Sequence, residues 1–103
     1  MKATIKDFQN EIGSWISRNF PDATPQDGFM VLAEELGELS HSWIKRKQGI
    51  RMDEDHDEKV RDAVADIFIS LCGFCSLEGL DLNAEVISAW AEVRQRDWRK
   101  TDA

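Results

Sequence analysis

Residues 64–77 read Val-Ala-Asp-Ile-Phe-Ile-Ser-Leu-Cys-Gly-Phe-Cys-Ser-Leu, apolar nearly all the way round any helix drawn through them. The run belongs to a helix expected to start near Asp57 and to end at Gly79. A helix without a polar face must be covered on every side. With Asp66 inside it, the run is also too short to span a bilayer. It therefore reads as the centre of a helical core.

Three further helices surround it in sequence. Ile5, Phe8, Ile12, Trp15, Ile16 and Phe20 recur at three- and four-residue intervals, with Thr4 as a cap and Pro21 as a stop. Thr24-Pro25 opens the second helix, which carries Phe29, Leu32, Leu36, Leu39 and Trp43 towards Gly49. Residues 49–56 are polar and read as a loop. The fourth helix begins around Asp81 to Asn83 and carries Leu82, Val86, Ile87, Trp90 and Val93 towards Trp98. Short connections make sequential helices antiparallel. The expectation is an all-α, antiparallel bundle of about four helices. Three short helices can hardly cover residues 64–77 alone, so oligomerisation (a dimer or tetramer) is expected to complete it.

The whole chain, residues 1–103, is expected to form one domain, without repeats or low-complexity tracts. Its 20 acidic and 13 basic residues give a net charge of −7, which repels nucleic-acid backbones. No basic start followed by an apolar run suggests a signal peptide. A cytoplasmic protein with neither nucleic-acid nor membrane partners is expected. Cys72 and Cys75 lie within the apolar run, without further ligands for zinc, and read as two buried reduced thiols.

The chemistry lies in acids placed among apolar residues. Glu34, Glu35 and Glu38 interleave with Leu32, Leu36 and Leu39, and Glu35 and Glu38 share a face. Asp62 and Asp66 are four apart on the third helix. Glu38 and Asp66 each lie nine residues from the intervening loop, about 13 Å at 1.5 Å per residue, so an antiparallel hairpin brings them to one height. Several partly buried carboxylates repel one another unless a cation neutralises them, and hard oxygen ligands suit Mg²⁺ or Mn²⁺.

These residues resemble the signature of the MazG-like all-α nucleoside triphosphate pyrophosphatases: E-E-x-x-E, a spacer, then E-x-x-D. Glu34-Glu35-Leu36-Gly37-Glu38-Leu39 matches the first half, and Asp66 matches the final Asp. Trp15, Pro25-Gln26 and Arg96-Asp97-Trp98 extend the likeness over most of the chain. The Glu of E-x-x-D, the fourth of the signature, falls on Ala63, which cannot bind metal; Asp62 is the candidate substitute, pointing about 100° away.

The resemblance implies Mg²⁺-dependent cleavage of a (d)NTP into a (d)NMP and pyrophosphate, in house-cleaning or nucleotide-pool control. Glu35, Glu38, Asp62 and Asp66 would hold the metal, with Glu34, Glu35 and Glu38 in catalysis and Glu34 orienting or deprotonating water. Lys45, Lys47, Arg51, Arg94 and Arg96 are candidates for the outer phosphates, and Trp15 and Trp43 for the base. Two other readings are a catalytically inactive helical interaction module and a di-iron carboxylate bundle. The latter rests on Glu38-x-x-His41, a motif missing from the third helix.

Overall fold

A computed structural model describes residues 3–99. They form four helices: α1 (Ile5–Asn19), α2 (Pro25–Gln48), α3 (His56–Glu78) and α4 (Leu82–Val93). The ends follow from local chemistry. Thr4 and Thr24 each accept a hydrogen bond from the backbone N–H three residues on, while Asp7 and Asp27 accept one in return. Asp55 caps α3 by accepting from the Glu58 N–H at 3.0 Å, so α3 starts one residue earlier than expected. Gly49 and Gly79 close α2 and α3 in the left-handed conformation, with φ of 68° and 78°.

Helices α2 and α3 form an antiparallel hairpin, and its register can be read at both ends. A Cβ on Gly28 would stand 3.2 Å from the Phe74 backbone and 3.0 Å from Leu77, so the helices approach closely there. At the loop end the Arg46 guanidinium meets the Asp57 carboxylate at 2.7 Å. Loop residue Ile50 is tied by its carbonyl to Nε2 of His56 at 2.9 Å. His56 is buried, where the polar run of residues 49–56 predicts a loop; its ring closes the hairpin.

Helix α1 crosses the C-terminal half of α3, with Ile5 and Ile12 packing against Cys72, Cys75 and Leu82. Both cysteines are free and buried, and burial pushes their thiols up, which keeps them protonated. Helix α4 departs from the sequence expectation. The chain bends by 109° between α3 and α4, and α4 packs on α1. It stops at Val93, short of Trp98: the Gln95 and Arg96 N–H groups bond the Glu92 and Val93 carbonyls in a tightened turn, and Trp98 is 83 % exposed.

The bend is held by Gln9, a buried side chain of α1. Its amide nitrogen donates to the Leu80 carbonyl at 2.6 Å, and its Oε1 accepts from the Leu82 N–H at 2.9 Å. The lone chain is expanded: its radius of gyration is 17.3 Å, against about 13 Å for a compact domain of this length. Among the described residues the buried apolar side chains are Ala63, Cys72, Cys75 and Leu82, while Phe29, Met30, Trp43, Ile87 and Trp90 are all more than half exposed. No single helix among them is long and apolar enough to cross a membrane.

Gln9→Ala strands the buried Leu82 N–H and leaves the half-exposed Leu80 carbonyl without its partner. We expect a loss of about 2 kcal/mol in urea unfolding, with faster amide exchange at Leu82 than at mid-α2. Unchanged exchange at Leu82 would show that the bend does not depend on Gln9.

Candidate active site

One face of the hairpin carries the acids. On α2, Gly28, Val31, Glu35, Glu38 and Ser42 follow at alternating spacings of three and four, the repeat of a helix–helix seam. On α3, Leu77, Gly73, Ser70, Asp66, Ala63 and Lys59 repeat in the same way. Such a seam is ordinarily apolar throughout. Here its middle layers are carboxylates.

Glu38, His41 and Ser42 face Lys59, Asp62, Ala63 and Asp66 across a cavity of about 360 Å³. Glu38 and Asp66 therefore stand at one height, as their equal distance from the loop requires. Glu35 lies one turn further in. Its Oε2 is buried without a hydrogen-bond partner. Burial pushes the Glu35 carboxyl above the usual carboxylate range. The neighbouring charges of Glu38, Asp66 and Glu34 push it the same way. Among the described residues no three His, Cys, Asp or Glu side chains close on one point at ligand distance. The acids are gathered along the groove, and sharing one cation requires rotation of side chains such as Glu38, which is exposed and free to turn.

Asp62 is exposed and reaches the cavity from its solvent edge, whereas Ala63, 4 % exposed, forms part of its floor opposite buried Ser42. Glu34 is exposed and acts on Glu35 through its charge.

Beyond Glu35 the same face opens into a larger, mostly apolar hollow of about 570 Å³ where α1 joins the hairpin. Trp15, Phe20 and Phe74 wall it, and Asn19, Asp22 and Ser70 bring polar groups to it. Trp15 and Phe20 meet edge to face at 5.7 Å.

Of the side chains expected from the sequence to bind substrate, Trp15 lines this groove, and Arg51 touches its wall through His41. The others are not brought to it within one chain. Trp43 stands on the opposite face of α2 with Arg46 over its ring at 4.4 Å, because five residues carry a helical side chain well round the axis. Lys45 and Lys47 sit at the end of α2 outside both cavities, Arg94 caps α4, and Arg96 pairs with Glu92 at 3.2 Å. Lys59 and Ser42 line the cavity without having been singled out in the sequence, and His41 entered the sequence reading only through the di-iron alternative. Lys59 was within reach of it, lying three before Asp62 and seven before Asp66.

No protein-family profile matches the chain. It is 32 % identical over 102 residues to a dATP/dGTP diphosphohydrolase of cyanophage S-2L, an alignment covering 99 % of this chain and 85 % of that protein. The fold is similar to that of the cyanophage S-2L MazG-like pyrophosphohydrolase, solved with dGDP and three catalytic Mn²⁺ ions per active site. The TM-score is 0.66 at 32 % identity, covering 99 % of this chain and 89 % of the solved one.

The raised Glu35 carboxyl has a consequence for stability without metal. A carboxyl held more basic in the fold than in the unfolded chain binds its proton more tightly when folded. Its contribution is present at acid pH and lost as pH rises through the raised value. We expect metal-free protein to melt at lower temperature at neutral pH than at mildly acid pH. Glu35→Gln should raise the neutral melting temperature and flatten this dependence. A Gln variant that melts lower at neutral pH would show that Glu35 is not under strain.

Proposed function

The chain belongs to the MazG-like all-α nucleoside triphosphate pyrophosphohydrolases, and we propose that it hydrolyses a (d)NTP between the α- and β-phosphates. Water supplies the oxygen that bonds to the α-phosphorus. The bond from that phosphorus to the bridging oxygen breaks, and pyrophosphate leaves, giving a (d)NMP. The observation that carries this reading is Glu35. Its partnerless buried oxygen, beside Glu38 and Asp66, is a carboxylate arrangement that costs stability until a cation joins it.

The donor set fits Mg²⁺, with Mn²⁺ as a substitute: hard carboxylate oxygens, Glu35, Glu38, Asp62 and Asp66, on a groove open to solvent on one side. The ion would offset phosphate charge and make water more acidic. The protein's own groups divide the remaining work. Glu34, on the exposed side of Glu35, accepts a proton from the attacking water or orients it, and Glu35, Glu38 and Asp66 would position the cation that meets the phosphate-bearing end of the substrate. The hollow beside Trp15 takes the nucleoside, whose flat apolar base suits walls of Trp15, Phe20 and Phe74. Residues 1–103 act as one catalytic domain, and cytoplasmic nucleotides are the substrate pool.

The working form is a homo-oligomer. Chains of this length rarely leave so many large apolar side chains in water, and the outer groove of α2 and α3, lined by Leu39, Trp43, Ile44, Val60 and Val64, lies on the face opposite the acids. A second copy can cover it without closing the site. Light scattering at micromolar concentration should give the mass of two or more chains; a stable folded monomer would overturn this.

The enzymatic reading is tested by incubating the protein with each common dNTP and NTP in Mg²⁺ and measuring pyrophosphate. Asp66→Asn should lower the rate about 10–100-fold or more with helical content unchanged. Asp62→Ala should cost about as much if Asp62 stands in for the ligand missing at Ala63. A change of less than about twofold would reduce Asp62 to a solvated acid in the early turns of α3.

A further inference from the structure

The hollow beside Trp15 carries charge of one sign. Asp22 and Asp27 line it, and no Lys, Arg or His is among its lining residues. Its polar groups are mostly acceptors. The Asn19 amide nitrogen donates to the Trp15 carbonyl at 2.9 Å, which leaves the amide oxygen to accept. The two carboxylates differ in what they are bound to. Asp27 accepts from the Thr24 N–H at 2.9 Å as part of the α2 cap. Asp22 is exposed and belongs to none of the ion pairs among the described residues. Its backbone is nevertheless held. The Ala23 N–H bonds the Phe20 carbonyl at 3.0 Å, closing a tight turn with Pro21 in the second position and Asp22 in the third. The Phe20 ring at the start of that turn meets Trp15 edge to face, so one short segment carries both an aromatic wall of the hollow and a free carboxylate.

We propose that Asp22 selects the base: its carboxylate accepts from N1–H and the 2-amino group of a guanine seated in the hollow, which makes a guanine nucleoside triphosphate the preferred substrate. The inference rests on the pyrophosphohydrolase reading and adds base selection to it. The edges of the bases decide the match. Guanine presents two adjacent donors, N1–H and the 2-amino group, and a carboxylate has two oxygens side by side to accept them. Adenine and cytosine each set one amino donor beside a ring-nitrogen acceptor, which would face the second carboxylate oxygen unpaired. Thymine and uracil flank a single N–H with two carbonyls, and a carboxylate repels both. Asp22 gives up bound water when a base covers it, so only a base that replaces both hydrogen bonds is favoured. Pro21 keeps the turn rigid, which fixes the carboxylate relative to the Phe20 ring and so relative to the plane in which the base lies.

Binding of nucleoside monophosphates tests this without turnover. Calorimetric titration of the intact protein in Mg²⁺ should show dGMP bound about tenfold or more tighter than deoxyinosine monophosphate, which lacks the 2-amino group. Asp22→Ala should bring the two ligands within about twofold of each other. Asp22→Asn supplies a gain that a structural role would not produce. Its amide offers one acceptor and one donor, the complement of xanthine, in which a carbonyl replaces the 2-amino group. That variant should bind deoxyxanthosine monophosphate about tenfold tighter than wild type does and should lose affinity for dGMP, with helical content and oligomeric mass unchanged. Wild-type protein that binds dGMP and deoxyinosine monophosphate alike, or binds neither, would overturn the assignment. So would Asp22→Ala that keeps the preference for dGMP, or Asp22→Asn that gains nothing on the xanthine nucleotide. Failure of the enzymatic reading would instead show as wild-type protein releasing no pyrophosphate from any nucleoside triphosphate.

Discussion

Two antiparallel helices that meet through a three-four repeat are normally held by apolar side chains along the whole seam. Between α2 and α3 the seam is tightly packed at the Gly28 end and tied at the loop end by buried His56, whose ring meets the Ile50 carbonyl, with the exposed Arg46–Asp57 pair beside it. Glu35, Glu38 and Asp66 fill the layers between, where Glu35 is raised by burial and by its acidic neighbours. Like charges that face each other across a seam push it open, and the ends hold it. The groove follows from that opposition: a hairpin fixed at both ends and repelled in the middle keeps a cleft of carboxylates accessible to cations and phosphates.

The same opposition accounts for the rest of the chain. A seam that gives up its central apolar layers cannot supply a full core, and the described residues bury few apolar side chains beyond Cys72, Cys75 and Leu82. Helix α1 compensates on one side, crossing α3 and fixing the turn to α4 through the two hydrogen bonds of Gln9. The outer faces of α2 and α4 remain apolar and exposed. The carboxylate groove and the exposed apolar groove thus lie on opposite faces of one hairpin, so covering the second leaves the first open.

Local chemistry made much of this legible in the sequence. Thr4, Thr24-Pro25, Gly49 and Gly79 set helix ends through their own backbone and side-chain bonds, so their reading needed no tertiary information. The pairing of Glu38 with Asp66 was legible too, because equal distances from one loop fix equal heights in a hairpin. The end of α4 was not, since Trp98 falls in phase with Trp90, while among the described residues it finds only the Arg96 guanidinium beside its ring and stays exposed. Burial of His56 depends on where the Ile50 carbonyl folds back, and the hollow beside Trp15 exists only where α1, α2 and α3 meet. Lys59 was hidden for another reason: a lysine on a helix is ordinarily a solvated charge, and only its phase relative to Asp66 marks it out.

The departure from the family signature at position 63 has a physical reading in this packing. Ala63 lies on the floor of the groove at 4 % exposure, opposite Ser42, so the two helices meet there through small side chains. A glutamate at 63 would enter the closed layer beside Glu38 and Asp66 and lose most of its hydration. It would add one more buried like charge to a seam that already strains Glu35. Asp62 carries its carboxylate to the same cavity from the exposed edge, where water solvates it when no cation is bound. An acid at 62 rather than 63 therefore costs the metal-free fold little. The close contact at Gly28 and the tie between His56 and the Ile50 carbonyl then have less repulsion to restrain, which suits a hairpin whose lone chain has so little other core.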